Sequence, residues 1–584
     1  MLLAVCLVAV AGCTPPGLPE PLAPTVSSTV GTVTVPPTSV TIGIDGAAAG
    51  FNPHVIADFS PVTIAVASMV LPSASVYLPD GTTAFDPDLV DSAAVTSVDP
   101  FTVSYVLNRN ASWSDGTPVT GEDFGYLAAQ MSSAPGTIDA AGYRLIKQVR
   151  SREAGKVVDV EFSSPFADWR TLFGYLLPAH LLKDAPGGWT AAMNAGIPVS
   201  ANRYKVISVD RTTGEIKLQR NDKYWAGVSG PMTVVVRIGD ATDLLAAFER
   251  GDLEAAQVRP SSQDATALAA VPPDRRVDVP EGGTIQLVMN TAAGPTADAV
   301  VRRAIVAALG QSTVIAALAG EAGAGAGPTL ETPTGTPTGT PTQMPTETPT
   351  RTPTETPTGT TVRAPEPVGS MISLPATTIG DEQSPGTAAT PDPEAALKEL
   401  SGAGYRKAGV YLTRDGRPLV LRLAYPGADA RLAAAAQVVQ HELGGAGMVV
   451  DLVADGIQSV VTAAAAGSVD LSLLTVGRGS NDAVAASSAF GCPDSSAPPE
   501  GARGGNLSGY CSTVVEPILQ RALESGHAPD AAENPLVIDR PIWPIAQAVD
   551  TVVVSPALRG VVADAGPGWI FGGPFADVAD WPLS

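Results

Sequence analysis

Four histidines, at positions 54, 180, 441 and 527, are the only imidazoles in 584 residues, and they are scattered along the chain. His441-Glu442 lacks the second His, one helical turn on, that would complete a zinc-binding face. There is no Gly-x-Ser-x-Gly elbow and no Gly-Lys-Ser/Thr phosphate loop. Gly-Ala-Gly-Ala-Gly at 323–327 lies in low-complexity sequence rather than between a strand and a helix, so it is not a phosphate cradle. Residue types and spacings therefore propose no catalytic residue, no metal site and no cofactor, and the chain reads as a non-enzyme. The cysteines, at 6, 13, 492 and 511, are the other reactive groups.

Cys13 has the clearest context. Leu2 to Val10 is almost entirely apolar and runs into Ala11-Gly12-Cys13. That stretch is too short for a permanent membrane span but suits a signal-peptide core. Val10-Ala11-Gly12-Cys13 resembles the bacterial lipobox, in which the Cys is acylated and becomes the new N-terminus; the alternative is a buried apolar strand with a chance Cys. Met1-Leu2-Leu3 lacks a basic n-region, so the true start is expected upstream. Residues 14–39 are rich in Pro, Thr and Ser and read as a tether. In an exported protein, Cys492 and Cys511 read as one disulfide closing a Pro/Gly-rich loop; two free buried thiols are the other reading.

The elements that must position any site begin at Val40. Alternating apolar residues predict strands over 40–44, 101–107, 157–162, 203–209, 215–220, 232–238 and 284–289. Ser60-Pro61 opens an apolar helix to Leu71, and Thr120-Gly-Glu-Asp opens another to Met131. Helices are also expected over 240–250 and 296–309. Further on, strands at 418–424, 448–452 and 469–476 alternate with helices at 429–443 and 457–466, a rhythm that argues for an α/β lobe. A short late strand is expected over 551–555. Residues 320–391 lose periodicity around a Thr-Pro-Thr-Gly near-repeat. They are expected to form a disordered Thr/Pro-rich insertion in a surface loop, with a true linker between two independent domains as the alternative.

The net charge of −23 disfavours nucleic acid and anionic lipid surfaces as electrostatic partners. Apolar residues at 45% and charged residues at 16% suit a globular body with large cores. No later segment holds about 20 uninterrupted apolar residues.

Trp113-Ser-Asp-Gly-Thr-Pro-Val-Thr-Gly-Glu-Asp-Phe124 resembles the "F-S-D-G-T-P-x-T-A-E-D" stretch of family 5 extracellular solute-binding proteins, the binding components of peptide and nickel ABC importers. Leu218 to Trp225, Val301 to Ile305, Ala396 to Tyr405 and Gly505 to Tyr510 match further family segments in order. A narrower likeness is to mycobacterial lipoproteins of this family that bind a mannosylated phosphatidylinositol. It rests on Gly43-Ile44-Asp45, Gly50 to His54, Leu177 to His180 and the Cys492/Cys511 loop.

The resemblance implies two α/β lobes of the type II periplasmic-binding-protein architecture, with a ligand cleft between them. Lobe I would be 40–283 with 541–584, and lobe II 284–540. It implies ligand contacts from Asn52, His54 and Asp58 after the first strand, where ordinary turn and cap chemistry is the alternative. It also implies contacts from Arg478 and Asp482 after the strand at 469–476, where a solvated turn is the alternative. The aromatic-and-Asp motif that holds a peptide amine is missing there.

The expected protein is a monomer on the outer face of the cell membrane, anchored through lipid on Cys13. It would bind a glycolipid or its glycan and act in phosphatidylinositol mannoside and lipoarabinomannan assembly. The rivals are a peptide-binding subunit partnered by an ABC permease and a scaffold for a membrane glycosyltransferase. Trp569-Ile570-Phe571 is an apolar cluster that suits sugar stacking or acyl binding, with core packing as its alternative.

Overall fold

The computed structural model describes residues 39–227, 230–320, 362–373, 390–477, 479, 481–493, 504–558, 561, 566 and 568–581, with Phe571 by its backbone only. Cys6, Cys13, the 14–38 tether and Arg478 lie outside the described residues.

One mixed sheet organises the chain. Its strands are β1 (Ser39–Asp45), β8 (Tyr204–Asp210), β9 (Glu215–Arg220), β10 (Thr233–Gly239), β11 (Ala255–Val258), β12 (Arg276–Met289), β17 (Val420–Pro426), β18 (Val449–Asp455), β19 (Leu471–Gly477) and β20 (Ile542–Val554). They run in the order β18-β17-β19-β12-β20-β11-β1-β10-β9-β8, and β13 (Glu366–Pro367) pairs with β20 off this path. β1 is parallel to β10 and β11, and β17 is parallel to β18 and β19. Among the described residues there are three smaller sheets. These are β2 (Ser75–Tyr77) with β3 (Thr83–Phe85); β4 (Val90–Val98), β5 (Phe101–Leu107), β6 (Ile146–Arg152) and β7 (Val157–Phe162); and β14 (Arg406–Ala408), β15 (Tyr411–Arg414) and β16 (Arg417–Pro418).

Local chemistry accounts for the elements nearest the site. In β1, Val40, Ile42 and Ile44 alternate and are fully buried, as a strand with a core face requires. Helix α1 (Pro61–Val70) starts where Ser60 accepts a bond from the Thr63 N–H, with Pro61 at its first position. Helix α2 (Gly121–Ser133) opens with a capping box between Thr120 and Asp123.

Two large cores result. One gathers β1, α1, α2 and most buried residues up to Val279, together with Val552 to Trp581. The other gathers Ile285 to Leu473 with Trp543 to Ala546. A third cluster straddles them: Ile56 and Ala57 pack with Val460, Leu474, Phe490 and Leu536.

β12 and β20 join the two large cores. They are antiparallel over most of their length, with a register break between Pro280 and Thr284. Both run well past the strands expected from the sequence, 284–289 and 551–555. Every residue of β20 is buried, so no polar face marks its period.

The expected disorder over 320–391 also needs narrowing. Within that span Glu366 and Pro367 pair with β20, and Val368, Met371 and Ile372 are buried. Gln311 Nε2 donates to the carbonyls of Val368 and Ile545, and Glu533 accepts from the Met371 N–H. Three apolar side chains and satisfied polar groups are enough to hold this short stretch.

Candidate functional site

The lobes meet across the β12–β20 crossing, and an ion cluster lies there. Arg259, just after β11, pairs with Glu281 at 2.7 Å and with Asp550 at 3.1 Å. Its backbone N–H donates to Asp45 at the end of β1. Arg431, in the first turn of the helix Ala430–Gly445, pairs with the same Asp45 at 3.2 Å and donates to the Arg259 carbonyl. Burial raises the Glu281 carboxyl to about 7, against the pull of Arg259. Burial acts to lower the Arg259 pKa, but Glu281, Asp550 and Asp45 outweigh it and hold the guanidinium above its ordinary value.

On one side of this cluster the lobes are sealed. Phe59 lies on a notch made by Gly283 and Gly477, at the edge where the seam meets the cavity that it also lines; a Cβ at either glycine would come within 2.8 Å and 2.6 Å of the ring. Asp58 accepts from the Asn52 N–H at 3.0 Å and from Gln458 Nε2, on the helix Ile457–Ala466, at 2.6 Å. Burial pushes the Asp58 carboxyl up to about 6. Backbone groups close the same side: the Gly136 N–H donates to the Gly504 carbonyl, the Ala141 N–H to Ser488 Oγ and the Ala167 N–H to the Leu523 carbonyl.

On the other side is a cavity of about 540 Å³, within the range of small-molecule sites. Its floor is Gln257 and Val279 to Gly282. Its walls include Ile64 and Ser68 of α1, the β2–β3 hairpin, His54, Tyr143 and Tyr175. The short helix Gly568–Gly572 forms a roof carrying Trp569 and Ile570, both half-buried. Gly282 packs against the Ile570 carbonyl, so the hinge ribbon touches the roof directly. Gln257 Nε2 donates to Asp550 at 2.8 Å, whereas its Oε1 is buried without a hydrogen-bond partner. At the far end Asp88 accepts from the Tyr224 hydroxyl at 2.6 Å, and Arg203 is ion-paired with Asp580.

The structure divides the residues singled out in the sequence. Asn52 and Asp58 are buried in the sealed seam and do not line the cavity. Asn52 Oδ1 accepts from the His54 N–H. His54 lies in the cavity wall. Its Nε2 donates to the Tyr175 carbonyl at 2.9 Å, which fixes the Nε2–H tautomer. Its ring stacks on Trp189 at 6.0 Å. Burial lowers its pKa to about 4, so it is neutral at pH 7. Asp482 opens the helix Asp482–Phe490, which Asn481 caps, and it is not among the cavity residues. Cys492 and Cys511 are disulfide-bonded, with Cα atoms 4.4 Å apart.

Gln257, Glu281 and Tyr175 were missed. The first two sit in strands whose sequence signals only burial. Trp569 and Ile570 carried a signal as an unexplained apolar cluster.

A model of the bacterial extracellular solute-binding proteins, family 5 (middle region), matches residues 84–497. The probable monoacyl phosphatidylinositol tetramannoside-binding protein LpqW of Mycobacterium tuberculosis is 37% identical over 329 residues, 55% of this chain and 51% of that protein. The oligopeptide-binding protein OppA of Mycobacterium bovis is 26% identical over 397 residues, 66% of this chain and 59% of that protein. The chain thus spans roughly half the length of these curated relatives. The oligopeptide-binding protein AppA of Bacillus subtilis, in complex with a nonapeptide, superposes with a TM-score of 0.70 at 13% identity, covering 94% of this chain and 100% of that one. The periplasmic EDTA-binding protein EppA does so with a TM-score of 0.66 at 24% identity, covering 94% and 97%. At these identities the two structures speak to fold alone.

Proposed function

This chain belongs to family 5 of the bacterial extracellular solute-binding proteins and has their type II periplasmic-binding-protein fold; from that premise we propose that the roofed cavity is its solute site and a mannosylated phosphatidylinositol, or its glycan, the solute. The observation that carries this reading is the cavity lining. Tyr143, Tyr175 and Trp569 stand beside Gln257, Glu281, Ser68 and Ser73, a mixture of ring faces and hydrogen-bonding groups suited to sugars. The relationship to LpqW supports it.

In this reading 40–283 with 541–584 form one lobe and 284–540 the other. Ligand holds them closed through its differential affinity for the closed state. Asp482 and Arg478 contact ligand only where the lobes close around it. Cys13 carries the lipid anchor on the outer face of the membrane. The protein acts without catalysis, as a monomer, in phosphatidylinositol mannoside and lipoarabinomannan assembly, presenting its ligand to a membrane glycosyltransferase.

The relationship to OppA favours a second reading, a peptide-binding subunit working with an ABC permease. Native mass spectrometry of the protein purified from an actinobacterial host separates the two. A bound mass matching a mannosylated phosphatidylinositol is the expected result. A heterogeneous set of peptide masses overturns the glycolipid reading in favour of the importer.

A further inference from the structure

The hydrogen-bonding sense of the cavity floor is one-sided. Gln257 is 7% exposed, and its amide orientation is set by Asp550. A carboxylate accepts only, so the Gln257 NH₂ must face it. That leaves Oε1 as a buried acceptor with no donor among the described residues. An orphaned buried acceptor costs about 1–3 kcal/mol unless something donates to it.

The charged groups around it share this sense. Asp86, Asp88, Asp139, Glu281 and Asp577 line the cavity. Among the described residues its cationic side chain is Arg203, which is already paired with Asp580 and lies 3.9 Å from Asp88. His54 uses its Nε2–H on the Tyr175 carbonyl. The site's charged groups and its unmatched acceptor therefore favour a ligand that donates. A phosphodiester has only acceptor oxygens and a full negative charge, so the carboxylates and the unpaired carbonyl oppose it, and neutral hydroxyls such as those of Tyr143 and Ser73 offer it no compensating charge. A mannose hydroxyl donates and accepts, and the C–H face of a pyranose ring fits the half-buried Trp569 in the roof.

We infer that the cavity takes the uncharged glycan end of its ligand, with a sugar hydroxyl donating to Gln257 Oε1, and that it excludes the phosphodiester. The ligand enters sugar-first, with its phosphate and chains outside the roof. This rests on the glycolipid reading and sharpens it into an orientation.

The test uses the full chain with four probes in calorimetry: phosphatidylinositol dimannoside in nanodiscs, α-1,6-mannobiose, glycerophosphoinositol and a lysine-rich peptide. The expected result is that the nanodisc-borne lipid binds and mannobiose competes with it. Glycerophosphoinositol should bind at least 10-fold more weakly, and mannobiose affinity should change less than 2-fold between 50 and 300 mM salt. Gln257→Met, close in shape but without the acceptor, should weaken mannobiose about 5- to 30-fold, as expected for one hydrogen bond of about 1–2 kcal/mol. An unchanged thermal unfolding midpoint in this variant assigns the loss to the missing acceptor. Trp569→Ala, on the roof, gives an independent second variant with the same direction of effect. If the lipid binds but glycerophosphoinositol competes and mannobiose does not, the orientation is overturned while the glycolipid reading stands. If neither the lipid nor mannobiose binds and a lysine-rich peptide does, the glycolipid reading falls and takes the orientation with it.

Discussion

The two sides of the hinge solve the same problem in opposite ways. On the Phe59 side, glycines at 283 and 477 let a ring settle onto bare backbone, and Asp58 crosses the seam to Gln458, although the buried Asn52 Nδ2 beside it has no hydrogen-bond partner among the described residues. On the cavity side, Gly282 brings the roof helix against the hinge, but the space beneath stays open and Gln257 keeps an unanswered acceptor. Packing and hydrogen bonds across the seam keep the first side shut. The second has a donor still to be supplied. The contrast separates residues that hold the lobes from residues that meet the solute.

The sharpest way to break the comparison is to strike the ion cluster that both sides share. Arg259→Met removes the cation between Glu281 and Asp550 and leaves two buried carboxylates facing each other. Loss of one partner from a buried pair costs about 3–5 kcal/mol. Chemical denaturation should register that loss at pH 7. Because Glu281 then takes up a proton more readily, the variant should recover part of its stability as the pH falls towards 5. A variant as stable as the parent at pH 7 would mean that the cluster is solvated rather than buried.

Acid separates two neighbours in the sequence. Asp58 has a folded pKa near 6 against an ordinary 3.8, so its contribution is fully present below 3.8 and is lost as pH rises through 6. His54 has a folded pKa near 4 against 6.5, so its contribution is present above 6.5 and is lost as pH falls through 4. Each shift corresponds to about 3 kcal/mol at most. Between pH 6 and 4 the two therefore oppose each other. His54→Gln should make the protein gain more stability on acidification than the parent does, and Asp58→Asn should make it lose more. Thermal midpoints at pH 6.5 and 4.5 are the measurement, and identical slopes in all three proteins would contradict both assignments.

A smaller effect probes the seam at the Phe59 notch. Gly477→Val places a branched Cβ against the Phe59 ring. Overpacking of this kind costs about 1–3 kcal/mol. The lobes should part, seen as a larger radius of gyration in solution scattering. Phe59→Ala in the same chain should restore closure, because the room for the added carbons is then available. Failure of that rescue would move the strain to the β19 backbone.

How much of this was legible beforehand follows the same division. β1, α1 and α2 announce themselves because each has one buried face and a clear start, such as Ser60-Pro61 or Thr120-Gly-Glu-Asp. Most of β20, from Ile542 to Asp550, and the first half of β12 were invisible. Ile542-Trp-Pro-Ile-Ala-Gln is buried on both faces and so has no period, and Arg276-Val-Asp-Val-Pro-Glu-Gly-Gly reads as a turn. The seam glycines look like ordinary strand ends until Phe59 is placed on them. Asn52, His54 and Asp58 were singled out by their place after the first strand, but only geometry shows that Asn52 and Asp58 lie in the seam while His54 faces the cavity. Gln257 has no local signal, since its unmet acceptor exists only because Asp550, 293 residues away, claims the other end of the amide.

The smallest stability change belongs to the roof, and it sharpens the contrast most. Trp569 is half-buried against the first core and lines the cavity. Its truncation removes contacts on one side of the ring only, so Trp569→Ala should cost no more than about 1–2 kcal/mol, well below the 3–5 typical of a fully buried aromatic. Trp113, which is fully buried, provides the reference: Trp113→Ala should lie at the top of that range. If Trp569→Ala proved as damaging as Trp113→Ala, the roof would be part of the core and the two sides of the hinge would be alike. A small stability loss together with a large loss of sugar affinity is the pattern expected of a residue whose partner is the solute.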